Sequence, residues 1–326
     1  MLLQRARSAM IFLLVGVVLE AAVQRSIEDY KSVRRLLTKL SKKSGSPNTR
    51  RAYLRWLRKF CEYASMNPDE LIEERREDVK SDDDDVRHRA EDRLDAWFSE
   101  LERNGLKRNS CIQAYNAIRS FYKANHYKLE MDDAPSSWTE KVKPGLTRDD
   151  LRSLVEACSK SMHRVYILCQ VQSGLGVSDL LNIKYGDVAS HLKKGKDHIH
   201  LRLLRGKEKQ IGHFDTFFGR MATQALKEYL ATRKNLKPSD RLFPITARAV
   251  NKFLKVLSFR AGLEWTPSSH DLRKYFNTQM KLAGLNKILV EYWMGHSLGK
   301  VRGAYFIPPV EEQLRLYKQA EKWLEA

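Results

Sequence analysis

Apolar positions recur at intervals of three and four residues through most of the chain, the spacing of one face of an α-helix. The clearest case follows Ser46-Pro47-Asn48-Thr49. There RRAYLRWLRKFCEYA aligns Tyr53, Leu54, Leu57, Phe60 and Cys61 on one side, with Asn48 or Thr49 expected as the cap. Helical patterns return over 90–101 and 110–122, separated from the first by an acid-rich stretch whose run of four acids at 82–85 predicts a loop. Residues 131–144, with Pro135, Ser136, Ser137 and Pro144, read as a linker.

The second half opens on LTRDDLRSLVEAC, where Thr147 precedes an acidic first turn as a helix N-cap should. A long apolar helix over 164–172 ends at Ser173-Gly174. Between Asp197 and Phe218 the period changes to two: HIHLRLLRG alternates, a Gly206-Lys207-Glu208-Lys209 turn follows, and QIGHFDTF completes a hairpin. The pattern is then helical to the end, broken at 243–244, 265–267 and near Gly295. After Pro308-Pro309 a last helix carries Val310, Leu314, Tyr317 and Leu324 on one side. The expected fold is mainly α, with a small antiparallel β-hairpin in the C-terminal part (α+β). The expected organisation is an N-terminal apolar segment over 1–25, an all-α unit over 26–131, a linker over 132–144 and a second unit over 145–326.

Charge changes the picture. Lys and Arg number 59 against 40 acids, a net charge of +19. Such a field attracts a polyanion, nucleic acid first and a membrane surface second. The helix after Thr49 shows where. Residues 41–60 hold seven cations and no acid, with Arg50, Arg51, Arg55, Arg58 and Lys59 opposite the apolar stripe. A cationic stripe on one helix face suits a row of phosphates, whereas an ordinary solvated face mixes both signs. Residues 81–102 hold nine acids and three arginines and should face away from DNA.

Two features narrow the setting. Cys61, Cys111, Cys158 and Cys169 lie far apart with no CxxC, which argues against a metal site or a disulfide framework and for core filling in a reducing, cytoplasmic setting. The apolar run AMIFLLVGVVL over 9–19 has 11 residues, and crossing a bilayer takes about 20. Glu20 follows it at once and no cleavage site stands out, so it reads as a buried or partner-seeking helix rather than a membrane span. His191, His198, His200 and His213 lack a neighbouring acid or cysteine pattern and are expected as hairpin-surface residues, not metal ligands.

Four features of the second unit fall in order: Lys207 in the hairpin, Ser269-His270-Asp271-Leu272-Arg273 opening a helix, Met294-Gly295-His296-Ser297, and Tyr305 nine residues after His296. Each is weak alone. Together they resemble the tyrosine recombinase (phage integrase) family over nearly all of 145–305, and Thr49, Tyr53, Leu57 and Phe60 fit that family's helical core-binding domain. The stretch GHSLGKVRGAY is similar to integrases of archaeal plasmids and viruses. The resemblance implies a C-shaped clamp on DNA and a site-specific recombinase or integrase that works without cofactor or metal. It also implies double-stranded DNA carrying a specific attachment site as partner, and a nucleoid-associated location. Four copies would act on two DNA sites, with a monomer or weak oligomer off DNA. By the same resemblance Tyr305 is the nucleophile that becomes a 3′-phosphotyrosine, Lys207 (rather than Lys209) the general acid, and Arg273, His270 and His296 the groups on the phosphate, with Arg205 a further DNA contact. Tyr292 is the rival tyrosine, but it precedes the Gly-His and packs in an apolar helix.

The physical chemistry fits those roles. Attack on a phosphodiester builds negative charge on its nonbridging oxygens, and a site without metal must meet it with cations. An arginine offers a planar, always-charged fork for two oxygens, and His270 stands one helical turn before it. The His270 imidazole can also take the tyrosine proton.

One position departs from the family. Its first arginine belongs to a Thr-Gly-Leu-Arg string after the long apolar helix, and here that string reads Ser173-Gly174-Leu175-Gly176-Val177-Ser178-Asp179. Gly176 holds the arginine's place and offers no charge. Arg205 or Lys184 can be imagined in its stead. Two alternatives therefore stand beside the recombinase: a type IB topoisomerase-like nicking and resealing enzyme, and a catalytically dead DNA-binding regulator of the same fold.

Overall fold

The computed structural model describes residues 26–43, 45–131, 133–136, 144–204, 212–296, 298 and 307–326. The apolar run at 9–19, Arg205, Lys207 and Tyr305 lie outside the described residues. The chain divides into two units, Met1–Lys141 and Val142–Ala326, each with its own core.

Within the first unit the described residues form five helices: α1 (Lys31–Lys43), α2 (Pro47–Ala64), α3 (Pro68–Asp78), α4 (Asp84–Arg103) and α5 (Arg108–Ala124). Helix α2 starts a turn earlier than the Asn48/Thr49 cap expects. Pro47 takes the first helical position, where its missing N–H costs nothing, and Ser46 is the cap residue. Leu54, Trp56, Leu57 and Phe60 form its buried face. The acidic run spans the expected loop and the helix that leaves it, with Asp82 and Asp83 before α4 and Asp84 and Asp85 within it. Asp83 caps α4 by accepting from the Asp85 N–H, and Asp84 and Asp85 fill its first turn, where carboxylates complement the positive end of the helix dipole. Arg75 and Glu91 form a buried ion pair at 2.6 Å between α3 and α4, and the same Glu91 oxygen accepts from the Glu130 N–H.

The second unit runs α6 (Arg148–Glu156), α7 (Ser161–Ser173), α8 (Val177–Asn182), α9 (Tyr185–Lys193), β1 (Ile199–Leu204), β2 (His213–Phe218), α10 (Arg220–Ala231), α11 (Ala247–Arg260), α12 (Ser269–Leu282), α13 (Lys287–Trp293) and α14 (Val310–Ala320). Thr147 caps α6 in a reciprocal capping box with Asp150. Helix α7 is central, and Val165 to Ser173 are all buried.

The two strands are antiparallel, with Ile199 opposite Phe218 and Leu204 opposite His213. Strand β2 is buried except at His213, because both of its faces are covered. Thr216 on one face donates to the Ser173 carbonyl of α7, and Phe217 on the other packs on Trp293 and Tyr317.

The final helix docks on its own unit. Trp293 Nε1 donates to Gln313 Oε1 at 2.8 Å, and Tyr317 Oη donates to the Gln172 carbonyl at 2.7 Å. His198 is buried rather than on the hairpin surface. It pairs with the equally buried Glu321 at 2.6 Å, and Glu321 also caps the Arg220 N–H, so a polar tie replaces the solvent-facing role that strand alternation predicts. Those bonds and the His198 charge hold the Glu321 carboxyl below its ordinary value, although burial alone pushes it up. Among the described residues no helix is long and apolar enough to cross a membrane, and no group of three or more His, Cys, Asp or Glu can hold a metal ion.

Candidate active site

Three helix ends converge in the second unit. The first is the C-terminus of α7, where Gly174 adopts the left-handed conformation at φ 64° and its N–H bonds the Gln170 carbonyl. A Cβ there would lie 2.3–2.8 Å from the Phe276 ring of α12, so only glycine permits the approach. Gln170, fully buried, donates from Nε2 to the Leu175 carbonyl and to Ser269 Oγ, tying this turn to the start of α12.

That start is the second end. Asp271 Oδ2 accepts from both the backbone N–H and the hydroxyl of Ser268, fixing the entry of α12. His270 is exposed at its second residue, and Arg273 follows one turn later, half-buried.

The third end is the C-terminus of α13, which closes with the paired bonds of a Schellman motif. The His296 N–H bonds the Glu291 carbonyl, and the Gly295 N–H bonds that of Tyr292. Gly295 is left-handed at φ 73°, and a Cβ would meet the Phe214 ring at 2.9–3.1 Å. The Gly-His pair is therefore a helix terminator that leaves His296 exposed just beyond the helix.

Arg273 joins the other two ends. Its Nη1 donates to the Gly174 carbonyl at 2.9 Å and its Nη2 to the Met294 carbonyl at 2.8 Å. A guanidinium has five N–H donors, and these two carbonyls use two of them. Burial lowers its pKa and the Asp179 carboxylate opposes that, but a guanidinium stays charged at any ordinary pH.

Gly176 lies beside this cluster with φ −67° and ψ 153°, a conformation open to any residue. A Cβ there would sit 3.6 Å from Arg273 Nη1 and 3.1 Å from Asp179 Oδ2. A side chain at 176 thus points at the guanidinium that the other two turns hold in place. Lys184 is exposed at the head of α9, bridged through its backbone to Arg241.

Two site residues escape sequence reading. Asp179 is an acid in the first turn of a short helix, where a capping role explains it equally well. Asp215 is buried mid-strand and accepts from two partners, His200 Nε2 at 2.7 Å and Tyr292 Oη at 2.6 Å. An acid in an otherwise apolar strand was the signal available. Tyr292 is buried and committed to that bond, consistent with its apolar helix.

On the first unit, Arg50, Arg51, Arg55, Arg58 and Lys59 are all exposed along α2. Arg50 pairs with Glu28, and Arg55 and Lys59 lie over the Trp56 ring at 4.6 and 5.6 Å.

Residues 145–306 match the phage integrase family, and through this unit the chain belongs to that family, the tyrosine-type site-specific recombinases. It is similar to the tyrosine recombinase XerA of Thermococcus onnurineus, 25% identical over 289 residues that cover 85% of this chain and 88% of that one. It is also similar to XerD of Caulobacter vibrioides, 28% identical over 233 residues, 63% of this chain and 72% of that protein. Among solved structures, the Tn1549 transposon integrase in complex with transposon right end DNA superposes with a TM-score of 0.54 over 90% of this chain and 99% of that one. At 17% identity that likeness speaks for the fold.

Proposed function

We propose that the chain cuts and rejoins double-stranded DNA at a specific attachment site through a covalent 3′-phosphotyrosyl link at Tyr305. The observation that carries this reading is the position of Arg273, held between the turns of Gly174 and Gly295. Tyr305 Oη attacks phosphorus and gives its proton to His270. The bond to the 5′ oxygen breaks, and Lys207 protonates that oxygen. Arg273 and His296 meet the charge on the nonbridging oxygens. The phosphotyrosyl link keeps the energy of the broken bond, so rejoining needs no further input.

Gly176 weakens this centre. Removing one donor from such a site costs on the order of 10²–10³ in rate. The chain is then a slow member of its family, and Gly176→Arg speeds it. The first unit contributes phosphate contacts from Arg51, Arg55, Arg58 and Lys59, with Arg50 and Arg205 beside them, so binding weakens steeply with salt, roughly 0.9 in log K per contact and log salt. Four copies act together on two DNA sites. Off DNA the chain is a monomer or weak oligomer, which the docking of α14 on its own unit supports. Such a protein is nucleoid-associated.

The test is a nicked suicide substrate. A covalent complex that forms with the unsubstituted chain and is absent in Tyr305→Phe supports the reading. Joining of two separate duplexes separates a recombinase from a topoisomerase-like enzyme. Gly176 favours one rival, a DNA-binding regulator. It predicts specific binding with no adduct in either the chain or Gly176→Arg.

A further inference from the structure

Strand β2 carries a carboxylate that neither the fold nor the reacting phosphate requires. Asp215 is 7% exposed, between Phe214 and Thr216, which are themselves buried. Burying a charge is costly unless every lone pair is used, and an apolar residue would fill this space at less cost. Here both oxygens are used, and their partners come from two other elements. His200 Nε2 on β1 lies 2.7 Å from Oδ1, and Tyr292 Oη on α13 donates to Oδ2 at 2.6 Å. The side chain is therefore a three-way tie between the two strands and the helix that ends in Gly295-His296.

The preceding residue strengthens the tie. The Phe214 ring lies against Gly295, so close that no Cβ fits between them. Two consecutive residues of β2 thus set the strand against the last turn of α13. Arg202, opposite Asp215 in the strand register, adds a favourable charge. Burial pushes the Asp215 carboxyl up, but the bonds from His200 and Tyr292 and the charges of His200 and Arg202 outweigh it and leave the group below the usual carboxylate range. It stays an anion that accepts from both sides.

What this tie holds follows from the chain. Lys207 is three residues beyond Leu204, the end of β1, so it lies within about 11 Å of that residue at full extension. The strand pair therefore sets the point from which that stretch of chain starts. We infer that Asp215 is a positioning residue for cleavage: it fixes the β1–β2 strand pair, from which Lys207 extends, against the Gly295-His296 turn that meets the same phosphate. The inference rests on the reading above that Lys207 protonates the departing 5′ oxygen. Asp215 itself touches neither DNA nor a reacting atom.

The test uses the leaving group. In DNA whose scissile 5′ bridging oxygen is replaced by sulfur, the departing thiolate needs no proton, so a defect in proton delivery disappears while other defects remain. Single-turnover cleavage of the oxygen and sulfur substrates is measured for the chain and for Asp215→Asn, Tyr292→Phe and Lys207→Ala. The series is repeated with Gly176→Arg added. Tyr292→Phe keeps the ring and its packing, so it carries the test if Asp215→Asn fails to fold. We expect Asp215→Asn and Tyr292→Phe to slow the oxygen substrate by about 10- to 100-fold, as loss of a group that orients another does. DNA affinity should be unchanged, and the sulfur substrate should restore most of the rate, as for Lys207→Ala. Equal slowing on both substrates, or no slowing, overturns the inference while leaving the parent reading intact if Lys207→Ala is rescued. Failure of sulfur to rescue Lys207→Ala, or absence of cleavage in both series, removes the parent reading and the inference with it.

Discussion

The two turns that Arg273 joins are built alike and differ at one place. Each ends a helix with a left-handed glycine, Gly174 or Gly295, and each glycine has an aromatic ring where a Cβ would be, Phe276 or Phe214. Each passes a carbonyl to Arg273. The 294–296 turn then presents an exposed side chain, His296. The 173–176 turn delivers Gly176, whose backbone has no need of glycine. Two of the three glycines are thus demanded by geometry, and the third is a chemical vacancy beside a guanidinium.

The strongest way to break this comparison is to remove the residue that unites the turns. Arg273→Ala should lower covalent-complex formation on a suicide substrate by on the order of 10³ or more, since both the charge and the turn anchor go. A variant that cleaves at the original rate would show that the turns hold no reacting phosphate. Next in size, Gly176→Arg should raise the cleavage rate by on the order of 10²–10³. The Asp179 carboxylate has only a few tenths of an ångström to give. An unchanged rate, with the protein folded, would mean that position 176 does not face the phosphate. The third test concerns stability and has two arms. Gly174→Ala or Gly295→Ala should cost about 2–4 kcal/mol through backbone strain and ring overlap. Gly176→Ala should move stability by no more than about 1 kcal/mol in either direction. Thermal or denaturant unfolding reads both, and equal losses in the two arms would erase the distinction between demanded and vacant glycines.

Much of this was legible beforehand for identifiable reasons. The His270–Arg273 spacing is one helical turn, and its helix begins where the sequence places it. Ser173-Gly174 was readable as a stop because left-handed helix ends favour glycine. The period-two alternation from Asp197 onward located the hairpin. The misreadings share a cause. His198 alternates as a surface residue would, yet Glu321, 123 residues later, buries it with a partner. The loop expected at 82–85 is present but ends at Asp83, because carboxylates at 83–85 suit a helix N-terminus. Asp215 offered only an acid in a largely apolar strand, because both of its partners are remote in sequence.

By itself, then, the sequence determined the helical periodicity, the hairpin, the basic face of α2, the order of the candidate site residues and the absence of an arginine at 176. All of these are local properties, set by spacing, charge and residue type. The tertiary structure decided that Arg273 spends two donors on backbone carbonyls, that Gly174 and Gly295 are packed against rings, that α14 closes on its own unit, and that Asp215 ties the hairpin to the Gly-His turn. Those depend on which distant segments meet, and burial in the core selects that pairing through contacts no local pattern encodes.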